Sequence, residues 1–112
     1  MGGRGQNRQG GSKKATAETN RQLRTQLRGI AQAEPFINQA VREMEPILKD
    51  APKGTVIEIP MYRNHVSTYE KTGKDTWEKT WGTSRGKVYW TTKQPTHNTA
   101  IDMYNDFVNQ EE

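Results

Sequence analysis

The chain contains no cysteine, which excludes disulfides, thiolate metal sites and cysteine catalysis. No apolar run approaches the ~20 residues that a helix needs to cross a bilayer. The N-terminus is positively charged but lacks the apolar segment of a secretory signal. We therefore expect a soluble intracellular protein that does not engage a membrane.

Motifs of catalysis and metal binding are also missing. His65 and His97 are far apart in the sequence, and no HExxH pattern supports a metal site. No GKT or GxGxxG sequence occurs, and Gly2, Gly3 and Gly5 do not follow a strand, as a phosphate-binding loop would. The GxSxG match at Gly82 to Gly86 falls between two predicted strands and not at the strand-to-helix turn that presents a nucleophilic serine. We predict no catalytic residue, no metal, no cofactor and no small-molecule substrate, and hence a protein that is not an enzyme.

Large apolar residues are scarce at the front of the chain. Hydrophobic residues make up 30% of the 112 residues, below the ~45–50% of typical soluble domains. Residues 1–20 contain no Val, Ile, Leu, Phe, Trp or Tyr, whereas all aromatic residues follow later. Because each aromatic side chain buries a large area, the sequence predicts one small body with an aromatic core.

Positive charge is concentrated at the front. The first 28 residues carry seven basic side chains and a single acid, Glu18, although the net charge of the whole chain is only +4. The seven are Arg4, Arg8, Lys13, Lys14, Arg21, Arg24 and Arg28. Residues 1–14 combine this charge with five glycines, so we predict a disordered basic arm there. Such an arm can contact the phosphates of a nucleic acid or simply remain solvated.

Two helical segments are predicted after the arm. The first should start near residues 16–19, where Thr19 and Gln22 fit a capping box. Its apolar residues recur at helical spacing and form one stripe. The stripe consists of Leu23, Leu27 and Ile30. Proline lacks a backbone donor, so Pro35 should break the segment and Pro46 should end or bend the one that follows.

From residue 55 the apolar pattern changes to a period of two, which is typical of half-buried strands. Short turn sequences separate the strands and favour a four-stranded antiparallel meander. The predicted strands cover residues 55–59, 65–71, 76–81 and 87–92. A C-terminal amphipathic helix should pack on this sheet, with Asp102 and Asp106 pointing outward.

The predicted fold is therefore α+β, in three parts. Residues 1–14 form the disordered arm, residues 15–49 a helical segment broken near Pro35, and residues 54–112 a sheet-plus-helix body. No internal repeat is evident.

The aromatic residues of the sheet allow two interpretations. Trp77, Trp81 and Trp90 can form the core beneath a helix, while Tyr69 and Tyr89 stay exposed. Alternatively, the same rings can stack on unpaired bases while interleaved cations hold phosphates. Those cations are Lys71, Lys79, Arg85 and Lys87. A candidate interaction face consists of Leu23, Leu27, Ile30, Tyr69 and Tyr89.

Two stretches resemble phage proteins. The start, Met1 to Gly5, resembles the Gly-Gly-Arg-Gly openings of head-morphogenesis proteins in phages of Gram-positive bacteria. The turn Pro52 to Thr55, the later run Tyr69 to Gly73 and then Trp77 resemble a small β-module attached to some of those proteins. The resemblance implies a small phage or prophage protein whose role is interaction. It assigns no catalytic residue.

We therefore expect a non-enzymatic phage or prophage accessory protein that binds a protein partner or itself. It would be found in the cytoplasm of a bacterial host or associated with the virion. The alternative is a sequence-nonspecific nucleic-acid-binding protein that uses the basic arm, and a further alternative is an inhibitor of a host protein.

Overall fold

The computed structural model describes residues 14–110, which form three helices and one four-stranded antiparallel sheet. The helices are α1 (Ala17–Ala33), α2 (Ile37–Asp50) and α3 (Thr96–Asn109). The strands are β1 (Val56–Pro60), β2 (His65–Lys71), β3 (Thr76–Thr83) and β4 (Val88–Pro95), with a short 3₁₀ turn at Tyr62–Asn64. Each strand pairs with its neighbour in sequence, and α3 packs on the sheet. The predicted α+β class and meander are confirmed. The predicted arm, apart from Lys14, lies outside the described residues.

Helix α1 begins within the predicted range of residues 16–19, but its N-cap lies three residues before the predicted one, Thr19. Thr16 is the N-cap, and its side chain accepts a hydrogen bond from the backbone N–H of Thr19 at 3.1 Å. The hydroxyl of Thr19 accepts in return from the backbone N–H of Thr16 at 2.8 Å. The capping box of Thr19 and Gln22 was therefore wrong, because the same chemistry is completed one turn earlier.

The two prolines behave differently. Pro35 separates α1 from α2, as predicted, and Glu34 before it has extended backbone angles. Pro46 was predicted to end or bend the helix; it lies inside α2, which continues to Asp50, so the alternative that it ends the helix was wrong. The packing of buried Met44 and Leu48 on either side of Pro46 holds the helix together despite the missing donor.

One core joins the three helices with β1, β2 and β3. Ile57 and Ile59 of β1 face the helices, and Trp77 of β3 is fully buried beneath them. The helical part of this core consists of Leu27, Ala31, Ala40, Val41, Met44, Leu48, Ala100, Met103 and Phe107. Residues 15–49 are thus packed on the sheet as part of the same body. Of the predicted interaction face, Leu27 is buried in this core, while Leu23 and Ile30 are half-buried against it, so Leu27 offers no free surface.

Two predictions for the aromatic residues were wrong. Tyr69 was expected to be exposed but is fully buried beneath α3. Trp90 was expected in the core but leaves 47% of its surface exposed, and Trp81 is half-buried. The cause is the position of α3, which covers Tyr69 and Lys79 but leaves the adjacent row of Trp81 and Trp90 partly open.

The acidic residues of α3 face the sheet, contrary to prediction. Asp102 forms an ion pair with Lys79, with 3.5 Å between Oδ2 and Nζ. Asp106 accepts a hydrogen bond from the hydroxyl of Tyr69. Burial, followed by the charge of Asp106, raises the pKa of Tyr69, so this hydroxyl remains a donor at physiological pH. Both aspartates face the sheet because their partners, Lys79 and Tyr69, lie there.

Within residues 14–110, no helix combines the length and the apolar character that a membrane span requires.

Candidate binding surface

Four rings form an aromatic patch on the helix-facing side of the sheet, beside α3. The patch consists of His65, Trp81, Tyr89 and Trp90. The ring centroids of His65 and Trp81 are 4.9 Å apart and their planes differ by 4°, so the two rings are stacked. Tyr89 lies 5.7 Å from His65 between centroids, and Trp90 is paired with Trp81 across β3 and β4. The rings therefore form one continuous surface.

The 3₁₀ turn before β2 positions the imidazole. Arg63 and Asn64 have positive φ angles of 60° and 66°, which turn the chain sharply into the strand. His65 Nδ1 then lies 2.9 Å from the carbonyl oxygen of Tyr62. Because a carbonyl can only accept, Nδ1 carries the proton and the ring is fixed against Trp81. The turn thus determines where the patch begins.

Gly82 allows β4 to approach the patch. A β-carbon on this residue would lie 2.1 Å from the carbonyl oxygen of Lys87, which is closer than atoms can pack. The strand register shifts between Trp81 and Gly82, so two consecutive residues, Tyr89 and Trp90, are presented beside Trp81. The bulge therefore explains why two neighbouring aromatic residues belong to one surface.

Lys79 is held between the core and the patch. Its Nζ lies 5.4 Å from the ring centroid of Tyr69 and 5.7 Å from that of Trp90. The same ammonium forms the ion pair with Asp102. Its charge is thus neutralised by α3, and its main contribution is to hold the indole of Trp90 in place.

Lys87 is the second cation at the aromatic patch. Its Nζ lies 5.3 Å from the ring centroid of Tyr89, and among the described residues no carboxylate pairs with it. Arg63 lies in a similar way over Tyr62, at 5.2 Å. The rim of the patch is therefore basic.

The strand that carries half of the patch is also an open sheet edge. Seven of the eight residues of β4 are exposed, and in the described chain β4 pairs with β3 only. Val88, Tyr89 and Trp90 are consecutive large hydrophobic residues with 58%, 47% and 47% of their surface exposed. An open edge strand with exposed apolar residues is a template for another strand.

The opposite edge of the sheet is protected. β1 has five residues and ends in Pro60, which cannot donate to a neighbouring strand. Helix α1 lies alongside it, and Arg21, Arg24 and Glu58 line one cleft between the helix and the strand. The two edges therefore differ in that α1 lies along β1, whereas both strands end in a proline, Pro60 and Pro95.

The predicted nucleic-acid contacts lie away from the patch. Arg4, Arg8 and Lys13 are outside the described residues. Lys14, Arg21, Arg24 and Arg28 belong to the start and body of α1, of which Lys14 and Arg21 are exposed and the others half-buried. Because α1 lies beside β1, the structure does not bring these cations to the aromatic patch. Of the interleaved sheet cations, Lys71 is buried and Lys79 is paired, whereas Arg85 and Lys87 are exposed.

The described residues contain no group of three or more His, Cys, Asp or Glu side chains that could hold a metal ion. His97 is exposed and lies 2.9 Å from Glu45, between Nδ1 and Oε1. Sequence analysis missed the role of His65 in the patch, since only the pairing of β2 with β3 places it against Trp81.

No family model, curated protein or solved structure matches this chain. The resemblance to phage proteins therefore stays a prediction.

Proposed function

We propose that this chain is a non-enzymatic interaction protein that binds a protein partner through β4. The observation that carries the proposal is the open edge itself, where Val88, Tyr89 and Trp90 are exposed in a row. An added strand would satisfy the free backbone groups of β4, and its side chains would cover these apolar residues.

The resemblance at Met1 to Gly5 supports an accessory role of the phage or prophage type, with the protein in the host cytoplasm or on the virion. An inhibitor of a host protein would use the same edge. Both roles need a binding surface and no catalytic group.

The experiment is affinity capture from a host lysate with three baits: the wild-type chain, the double variant Tyr89→Ser with Trp90→Ser, and Phe36→Ser. Phe36 is a matched control because it is an aromatic residue with 69% of its surface exposed, in the turn between α1 and α2. We expect a partner that is retained by wild type and by Phe36→Ser and lost by the double variant. Identical captures by all three baits would reject β4 as the binding edge.

The second candidate is sequence-nonspecific binding of single-stranded nucleic acid. It is favoured by Lys87, which lies over the exposed ring of Tyr89 without a carboxylate partner. Exposed rings that stack on bases, with nearby cations that contact phosphates, are the usual means of binding single strands. The basic arm would add phosphate contacts without base specificity.

Titration of labelled single- and double-stranded probes at increasing salt tests this candidate. Binding should weaken steeply with salt, and Trp90→Ala should reduce the affinity for single strands more than for duplex. Phe36→Ala is the control. An absence of binding at low salt would eliminate nucleic acid as the partner.

A further inference from the structure

We infer that the cleft between α1 and β1 binds a ribonucleotide, whose phosphate is held by arginines of α1 and whose ribose hydroxyls are held by Glu58. The cleft lies at the opposite edge of the sheet from β4, so the inference does not rest on the proposed function. Its volume is about 460 Å³, which lies within the range of small-molecule sites.

The helix and the strand each contribute one face to the cleft. The residues of α1 that line it recur at i, i+3, i+4 and i+7, which places them on one side of the helix. They are Ala17, Asn20, Arg21 and Arg24. Val56, Glu58 and Pro60 alternate along β1 with the buried Ile57 and Ile59, so they point away from the core. The cleft thus exists only where α1 meets β1, and no local sequence pattern predicts it.

Two guanidinium groups make the helical wall of the cleft basic. The Nε atom of Arg24 is buried without a hydrogen-bond partner, and among the described residues no carboxylate forms an ion pair with Arg21 or Arg24. A buried donor without an acceptor is costly, so Arg24 favours a ligand that supplies one. Guanidinium groups match the oxygens of a phosphate in geometry and charge. The cleft also includes the first residue of α1, Ala17, near which the helix dipole favours an anion.

The other polar groups of the cleft are acceptors. The Oδ1 atom of Asn20 is buried without a hydrogen-bond partner, and Glu58 is exposed on the strand wall. These oxygens repel a bare phosphate, but they accept hydrogen bonds from hydroxyl groups. A ligand that satisfies both walls therefore carries a phosphate and hydroxyl donors together. A ribonucleotide does so, and acceptance of the ribose 2′-hydroxyl by a carboxylate is a recurrent means of nucleotide recognition.

Apolar surface in the cleft favours a nucleotide over a simple sugar phosphate. Val56 and Pro60 flank Glu58 on the strand, and Val56 is half-buried. Their side chains offer a surface on which the flat face of a base can pack, as apolar walls do in most small-molecule sites. The chemistry that the cleft recognises, ribose with phosphate, occurs in a free nucleotide and at the phosphorylated end of an RNA strand.

Titration followed by nuclear magnetic resonance tests the site, because backbone amide shifts report where a ligand binds. We expect adenosine 5′-monophosphate to shift the amides of Asn20, Arg24 and Val56, and we expect inorganic phosphate and the 2′-deoxy nucleotide to bind more weakly. Arg24→Gln should weaken nucleotide binding by about tenfold or more, since it removes a charged donor. Arg42→Gln, at an exposed position of α2, is the matched control and should bind as wild type does.

A second variant tests the hydroxyl contact separately. Glu58→Ala should abolish the preference for the ribose form over the 2′-deoxy form, because the acceptor of the hydroxyl is lost. Inorganic phosphate should still bind this variant, since both arginines are unchanged. Glu70→Ala, an exposed glutamate directly opposite Val56 on β2, is the matched control and should keep the preference.

Three results would overturn the inference. They are an absence of saturable shifts in the cleft, equal binding of the ribose and 2′-deoxy forms by wild type, and shifts confined to Tyr89 and Trp90, which would place the nucleotide on the aromatic patch. None of them bears on β4 as a protein-binding edge, which the capture experiment tests. A short oligoadenylate with a 5′-phosphate distinguishes the source of the ligand. If it shifts the cleft amides and binds more tightly than the mononucleotide, the site belongs to RNA, and if it shifts them with equal affinity, the site belongs to the free nucleotide.

Discussion

The ammonium group of Lys71 donates a hydrogen bond to the carbonyl oxygen of Ala51, with 2.7 Å between the two atoms, in the interior of the protein. It also donates to the carbonyl oxygens of Lys49 and Leu48, at 2.7 and 3.0 Å. These carbonyls belong to the C-terminal end of α2, where helices lack internal donors. Burial lowers the pKa of Lys71. A residue expected to contact phosphate instead joins the sheet to a helix end.

Replacing Lys71 with Met should therefore destabilise the protein. The side chain keeps its apolar stem but leaves buried carbonyl oxygens without a donor, which costs about 1–3 kcal/mol. Urea denaturation followed by circular dichroism measures the change. Lys74→Met, at an exposed position of the β2–β3 turn, is the control and should stay within about 0.5 kcal/mol of wild type. Equal midpoints for the two variants would show that Lys71 does not cap α2.

The contact between Tyr69 and Asp106 gives a second prediction. Tyr69→Phe removes a buried donor and leaves the carboxylate of Asp106 without it, so we expect a loss of about 1–3 kcal/mol in the free energy of unfolding. Tyr62→Phe, where the ring is 54% exposed, is the control. If Asp106→Asn lowers the stability of wild type and of Tyr69→Phe equally, the two residues are not coupled.

Asp75 should contribute to stability in a pH-dependent manner. The Thr96 hydroxyl, then the Thr96 backbone N–H at the start of α3, hold the pKa of Asp75 below its ordinary value of 3.8. A carboxyl with a lowered folded-state pKa stabilises the protein above its unfolded value, and this contribution is lost as pH falls through the folded value. Urea unfolding between about pH 5 and pH 2 should show this loss in wild type and a flatter curve for Asp75→Asn. Thr96→Val should flatten the curve in the same way. Parallel curves for wild type and Asp75→Asn would contradict the assignment.

Two glycines should respond oppositely to substitution by alanine. Gly82→Ala places a methyl group 2.1 Å from the carbonyl oxygen of Lys87, and we expect a loss of about 2 kcal/mol or more as β4 is displaced. Gly29→Ala, at an exposed position of α1, meets no atom within 4 Å and should stabilise the protein by about 0.5–1 kcal/mol. Thermal unfolding measures both. A neutral Gly82→Ala would mean that β4 does not approach β3 this closely.

The three tryptophans should differ in their access to a quencher. At low protein concentration acrylamide should quench Trp90, which is 47% exposed, but not Trp77, which is fully buried. Trp90→Phe should therefore remove most of the quenchable emission, and Trp77→Phe should preserve it. Circular dichroism checks that each variant is folded. Equal quenching in the two variants would contradict the partial cover that α3 gives the sheet.

Much of the fold follows from local sequence patterns. The period of two after residue 55 places the strands because alternate side chains must face one core, and β2 has the predicted bounds, His65–Lys71. The break at Pro35 follows from the geometry of proline itself. Pro46 shows the limit of this argument, because packing of the residues around it outweighs the cost of a missing donor.

The candidate surface could not be predicted in the same way. Helical spacing places Asp102 and Asp106 away from the apolar stripe, but it gives no information about Lys79 and Tyr69, which attract them. The exposure of Trp90 depends on the path of α3 across the sheet, which no local pattern encodes. Partners distant in sequence therefore decide which aromatic residues form core and which form surface.

Helix α1 covers the edge strand β1, and this limits how many strands can be added to the sheet. A sheet with two uncovered edge strands can pair with further copies at both edges and grow into a fibre. In the described part of the chain, α1 lies along β1, so an additional strand could pair with the sheet at β4 only. Growth through both edges would therefore be blocked. Variants in which α1 no longer covers β1 would expose a second edge strand, and we would then expect filaments to form.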